Sequence, residues 1–345
     1  LPPGEKLIYS TFKVPIDEKS LAGYVALSGR PLNIEDVYNL DASLPYSFHK
    51  QFDDKAGYRT SSILTIPLRN SSGNILGILQ IINARKVNGK ITAFSESDER
   101  IMHHFASVAA VALERAQMTR ALILRMISMA EMRDPRETGS HVNRVAGFAV
   151  ELYEEWAMRR KLEQKVIDKT RDILRMAAML HDVGKVATSD LILRKPARLS
   201  ADEYEAMKEH TIHGARLFLN KQSDFDEAAA IVALTHHERW DGTGYPGHVD
   251  FRTGLPLDGF TLSNGRPRGK TATEIPLFGR IVALADVFDA LSSKRIYKDP
   301  WDERQILSQI EKSAGSHFDP ELVEIFFNRY EMLCSIRKRY QEGED

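Results

Sequence analysis

Five segments of the sequence, ETGSH (137–141), HDVGK (181–185), EH (209–210), HHERWDGTGYPG (236–247) and ALADVFDALSSKRIYK (283–298), carry histidines and carboxylates at helical spacings. Glu137 and His141 are four residues apart, His181 and Asp182 close the apolar run 173–180, and His236-His237 closes a helix that begins near Asp226. His210 is expected mid-helix after Glu209, and Asp286 interrupts the apolar run 281–285. A carboxylate on a buried helix face requires a cation or a hydrogen-bonding partner. Helical spacing can bring these segments into one cluster, and imidazole with carboxylate is a donor set for Fe, Mn, Zn or Ni. Two such ions about 3.5–4 Å apart can clamp the attacking and leaving oxygens of a phosphate ester. The pattern points to phosphodiester hydrolysis.

Charge narrows the ligand. Lys plus Arg (47) nearly cancel Asp plus Glu (48), so no broad positive field exists to hold a nucleic-acid polymer or an anionic membrane. A small phosphate ligand is expected. Cys334 is the single cysteine, which excludes an intrachain disulfide and a thiolate metal site and fits a reducing, cytoplasmic compartment. No apolar run approaches the roughly 18 residues of a membrane span, so no membrane contact is expected. Leu1 is not an initiator Met, and the protein is expected to begin further upstream.

The texture changes along the 345 residues, which predicts two domains. The first hundred alternate as strands do. Residues 61–68 and 75–83 are apolar runs around Asn70-Ser71-Ser72-Gly73-Asn74, an antiparallel hairpin by pattern. Together with GYVALSGRPLNIEDVY (23–38) and FSESDERIMHHFASVAAVALERAQ (94–117), the hairpin resembles a GAF domain over about residues 8–117, beginning late in that fold. The resemblance implies either a dimerising, signal-relaying domain or a small-ligand sensor.

Ser95 with Glu96, Asp98 and Glu99 marks a helix start. Ile101, Phe105, Val108, Ala112, Leu122, Met126 and Met129 then fall near a 3.5-residue repeat. Such a stripe is either a parallel coiled-coil seam joining a homodimer or a face packed on its own chain. The expected architecture is an α+β domain of antiparallel sheet and helices (1–98), a long linker helix (99–120) and an all-α domain (121–345), with helices near 120–133, 138–160, 163–182, 200–220, 225–237, 277–293, 302–314 and 318–340.

In this order the segments resemble the HD superfamily of metal phosphohydrolases, and Gly244-Tyr245-Pro246 resembles the signature of its HD-GYP subfamily, over roughly residues 121–335. The resemblance implies hydrolysis of cyclic di-GMP to linear pGpG and onward to GMP in some members. It implies metal ligands His141, His181, Asp182, His210, His236, His237 and Asp286, with Asp182 bridging two ions. Fe or Mn suits the thiolate-free donor set. Glu137 is either a ligand to a third ion or a helix cap. The implied chemistry is attack in line by a hydroxide bridging the metals.

Lys185 would either stabilise developing charge near the leaving oxygen or pair with a ligating carboxylate. Arg295 and Lys298 match positions that hold the dinucleotide in similar proteins, and Tyr245 is expected at the substrate rim. Glu238 and Asp241 are expected to orient ligating histidines, with Arg144 and Asp289 as weaker candidates. His213, His248 and His317 fit no ligand pattern. An insertion over about 248–272, absent from similar proteins, is either a lid bringing Arg266, Arg268 and Lys270 to a phosphate or a surface hairpin. Alternatives to the implied activity are hydrolysis of another cyclic dinucleotide or of pGpG, and a catalytically silent receptor or adaptor that binds GGDEF-domain partners.

A cation on a non-reacting part of the substrate contributes about equally to ground and transition states. Arg295→Ala is therefore expected to raise KM for cyclic di-GMP with little change in kcat, as steady-state kinetics would register; an equal fall in kcat would give Arg295 a role in the chemical step.

Overall fold

A computed structural model of the chain describes residues 15–131, 133, 139–292 and 302–340. The chain divides into two compact units, 1–122 and 123–345. Glu137, within 134–138, and Arg295 and Lys298, within 293–301, lie outside the described residues. No helix among the described residues is long and apolar enough to cross a membrane.

The first unit is built on a three-stranded antiparallel sheet. Ser20 caps α1 (Leu21–Ser28), accepting the Gly23 N–H. Then come β1 (Leu32–Ile34), α2 (Gln51–Ala56), β2 (Ile63–Arg69) and β3 (Ile75–Ile82). The last two form the expected hairpin, in register from Ile63↔Ile82 to Leu68↔Gly77. Its turn is tied by the Asn70 side chain, which accepts N–H bonds from Ser72 and Asn74. β1 pairs with the other edge of β2, so β2 is central. Its side chains alternate between two apolar clusters: Ile63 joins Leu21, Ile34 and Val37, whereas Leu64 and Ile66 join Ala106. A short hairpin, β4 (Ala84–Arg85) with β5 (Ile91–Thr92), leads to α3 (Glu96–Glu131).

The buried face of α3 carries Ala106, Ala110, Ile123 and Ile127. The seven stripe residues, Ile101 to Met129, are all exposed in the single chain. The stripe is thus not the face that packs on its own chain.

The second unit is largely helical: α4 (Gly139–Arg159), α5 (Gln164–Ala178), a 3-10 turn (Val183–Ala187), α6 (Asp190–Leu193), α7 (Ala201–Lys208), α8 (His210–Arg216) and α9 (Asp224–Thr235). After a small hairpin, β6 (Val249–Asp250) with β7 (Leu255–Pro256), follow α10 (Leu277–Ser292), α11 (Glu303–Lys312), α12 (Pro320–Asn328) and α13 (Tyr330–Arg339). Two expected helices are each divided, 200–220 at Glu209 and 318–340 at Arg329. The Glu209 N–H bonds to Ala206 and Met207 carbonyls, tightening the end of α7. His210 consequently opens α8 instead of lying mid-helix.

The core of this unit is a row of aromatic and aliphatic side chains from α4, α5, α9, α10 and α12, including Leu152, Leu174 and Val232. The Phe288 ring lies 4.9 Å from Phe148 and 5.0 Å from Phe326. The turn after α5 packs so closely on α8 that a Cβ at Gly184 would lie 1.9 Å from the His210 carbonyl oxygen and 2.3 Å from the Gly214 nitrogen. Only glycine fits between those backbones. Gly184→Ala is expected to lower the melting temperature of the second unit by roughly 5–10 °C, from an overpacking cost of about 3 kcal/mol, measurable by thermal unfolding; an unchanged transition would mean that the two backbones separate freely.

Candidate metal centre

Five stretches of backbone deliver the expected ligands to one place. His141 lies in the first turn of α4, His181 and Asp182 in the turn after α5, and His210 at the start of α8. His236 and His237 follow α9, and Asp286 projects from α10. They form two groups able to hold metal ions, Asp182 with His210, His236 and His237, and His141 with His181 and Asp286. Within each group the donor atoms lie within 4.8 Å of one another.

Asp182 joins the groups. One carboxylate oxygen lies 3.1 Å from His210 Nε2 and 3.5 Å from His236 Nε2. The other lies 3.2 Å from His181 Nε2 and 2.9 Å from Lys185 Nζ. Asp286 faces His141 Nε2 at 3.7 Å and His181 Nε2 at 4.0 Å.

The imidazoles are turned by their far nitrogens. Nδ1 of His181, His210 and His236 lies 2.9, 2.7 and 3.0 Å from the carbonyl oxygens of Ala178, Met207 and Val232. A carbonyl only accepts, so each Nδ1 carries the proton and each Nε2 offers its lone pair to the cluster. His141 Nδ1 instead meets Asp289 at 2.8 Å. Arg144 grips the same carboxylate through Nε at 2.6 Å and Nη2 at 3.0 Å. Burial raises the Asp289 pKa, but the bonds from His141 and Arg144 outweigh it and hold the group below the usual carboxylate range. Arg144 and Asp289 thus stand behind His141 and fix its ring.

These residues fit a metal ion. The buried Nε2 atoms of His210 and His236 have no hydrogen-bond partner. Burial lowers the pKa of His236, and burial with neighbouring imidazoles lowers that of His237 well below the ordinary value. Neutral imidazoles aimed at buried carboxylates leave negative charge that a cation compensates.

Comparison with known proteins agrees with this geometry. Family models described as HD domain match residues 138–291 and 262–322, and one described as GAF domain matches residues 2–113. The chain carries a GAF domain followed by an HD domain of the HD-GYP kind. It is 36% identical over 220 residues to a cyclic di-GMP phosphodiesterase of Thermotoga maritima, covering 64% of this chain and 51% of that protein. Over 221 residues it is 35% identical to 3'3'-cGAMP-specific phosphodiesterase 2 of Vibrio cholerae, covering 64% of this chain and 37% of the relative. A cyclic di-GMP phosphodiesterase of Vibrio cholerae is 35% identical over 226 residues, 64% of this chain and 42% of its own length. The matched part thus spans about half or less of these relatives.

In the HD domain the loop 238–247 folds back over the ligands. A Cβ at Gly244 would lie 2.3 Å from the Arg239 nitrogen, so the Gly-Tyr-Pro turn closes directly on the segment after His237. The Tyr245 ring packs 4.8 Å from that of His237 and 6.4 Å from that of His210, and burial raises its hydroxyl pKa. It is therefore part of the wall around the ligands rather than an outer rim.

Glu238 and Asp241 act on the loop, not on imidazoles. Glu238 accepts the Gly247 N–H at 2.6 Å and the Lys270 N–H at 3.2 Å, and burial pushes its carboxyl up to about 7 despite those bonds. Asp241 accepts from the Thr243 N–H and hydroxyl. Carboxylates so near the ligands in sequence are drawn away by backbone N–H groups that the turn would otherwise bury.

Nor do the insertion's cations converge on the cluster. Arg268 bonds Glu274 at 2.7 Å, and Lys270 Nζ lies 3.4 Å from His248 Nδ1. His248 stacks on Phe260 at 3.9 Å, and Arg266 reaches Glu205 on α7 at 3.5 Å. His213 pairs loosely with Glu209, and His317 stacks on Phe318.

Because partners that orient a ligand typically contribute 10–100-fold in metal affinity, Asp289→Asn and Arg144→Leu are each expected to weaken metal retention by about that factor in chelator competition. Retention equal to wild type in both would reduce the pair to a fold contact.

Proposed function

We propose that this chain is a metal-dependent phosphodiesterase that hydrolyses cyclic di-GMP to pGpG, with GMP as the product of a second cleavage, under control of its GAF domain. The observation that carries the reading is the position of Asp182, with one oxygen toward His210 and His236 and the other toward His181. Two ions, Fe or Mn by their donor set, would be held by His141, His181, Asp182, His210, His236, His237 and Asp286, and would supply charge neutralisation and an activated water. The carbonyls behind His181, His210 and His236 fix each ring with Nε2 toward the cluster. Tyr245 and the turn around it cover one side of the ligands and limit water there. Lys185, on Asp182 at 2.9 Å, stands where it can meet charge that develops on the leaving oxygen. Arg295 and Lys298 are proposed to hold the dinucleotide. The exposed stripe on α3 supports pairing with a second copy.

A relative named for 3'3'-cGAMP favours that dinucleotide as a second reading. Assaying metal-loaded protein against cyclic di-GMP, 3'3'-cGAMP and cyclic di-AMP separates them: fastest turnover of cyclic di-GMP supports the first, and no hydrolysis of any refutes both.

Asp182→Asn is expected to abolish turnover and to lower metal content by at least one ion per chain, read by elemental analysis. Lys185→Ala is expected to keep its metals and lose roughly 100-fold or more in kcat. Should Lys185→Ala lose its metals instead, Lys185 serves only as the ion-pair partner of Asp182.

A further inference from the structure

Tyr204 and Lys208 lie four residues apart on α7, on one face, just ahead of His210. The Lys208 Nζ stands 4.8 Å from the Tyr204 ring centroid and 5.4 Å from that of Tyr245. Tyr245 in turn packs on His237. A continuous path thus leads from the ligands across Tyr245 to Lys208 and out to Tyr204, whose side is 49% exposed. A phosphodiester held at the cluster would have its sugar and base extending along such a path.

We propose that Tyr204 and Lys208 form a nucleobase shelf that selects guanine over adenine, an assignment that rests on the cyclic dinucleotide reading above. The exposed Tyr204 face can stack on any base, worth about 1–3 kcal/mol. The ammonium supplies the selection, because guanine presents two acceptors, O6 and N7, on one edge, whereas adenine presents an acceptor beside a donor. Lys208 gives one N–H to Glu205 at 3.0 Å, and an ammonium has three. Arg266, from the insertion, reaches the same Glu205 carboxylate at 3.5 Å and offsets its charge, so the rim does not repel a nucleotide. If Lys208 served only its pair with Glu205, it would contribute little, since that pair is an exposed i,i+3 contact.

The test uses the metal-loaded full chain, with hydrolysis of bis(p-nitrophenyl) phosphate as reporter and cyclic di-GMP and cyclic di-AMP as competing ligands. Wild type is expected to be inhibited more strongly by cyclic di-GMP. Lys208→Met is expected to weaken cyclic di-GMP about 10-fold or more and to leave cyclic di-AMP nearly unchanged, collapsing the ratio of inhibition constants. Tyr204→Leu is expected to weaken both together and preserve the ratio, with metal content as in wild type. An unchanged ratio in Lys208→Met overturns the shelf while leaving the phosphodiesterase reading intact. Reporter hydrolysis that neither dinucleotide inhibits, with neither being cleaved, overturns that reading and the shelf with it.

Discussion

Asp182 is a carboxylate taken out of water and placed between two sets of imidazoles, and the rest of the HD domain is arranged around that demand. Its two oxygens face His210 and His236 on one side and His181 on the other. His236 and His237 are poor sources of the balancing charge, because burial lowers their pKa. Lys185 is a single cation, on Asp182, in a cluster that also holds Asp286. Negative charge that remains is what a metal cation can compensate, in keeping with a cluster that gathers imidazole lone pairs rather than hydrogen-bond donors.

Holding those lone pairs in place falls to the backbone. Three of the candidate ligand histidines bond through Nδ1 to carbonyls in the last turns of the helices before them, using the second lone pair of oxygens that also accept a backbone N–H. His181, His210 and His236 each follow the end of a helix, where a carbonyl lone pair and a change of chain direction are both available. His141 lies in the first turn of a helix, and there Asp289, itself held by Arg144, meets its Nδ1. The Gly-Tyr-Pro turn then seals one side, tied down by Glu238 through backbone N–H groups.

The GAF domain shows a different logic. Its sheet buries β2 between two apolar clusters, so the alternation of Ile63, Leu64 and Ile66 needs cover on both faces. On α3 the small residues Ala106 and Ala110 pack inward while larger apolar ones remain exposed. Large exposed apolar side chains at a regular repeat are a feature that association covers.

Much of this was legible in the sequence. Period-2 alternation around Asn70–Asn74 specified the hairpin, because strand side chains alternate by covalent geometry and turns need particular residues. Amphipathic spacing located the helices, and adjacent His181-Asp182 with Asp286 in an apolar run marked carboxylates that could not be buried alone. Lys185 allowed two roles, and its contact with Asp182 depends on a tight turn that spacing does not specify. Glu238 and Asp241 were misread because backbone N–H groups compete for a carboxylate, and their directions exist only after the loop has closed. The break at Glu209 likewise lies where α8 packs on the Gly184 turn, a contact that local spacing does not specify. Tyr204 and Lys208 carried only an i,i+4 spacing shared by countless surface helices. By itself the sequence determined which side chains had to be buried and which donor types had to meet, since those follow from hydrophobicity, charge and local period. Only the tertiary structure decided which atom of each faces which partner, because that depends on long-range packing between helices distant in the chain.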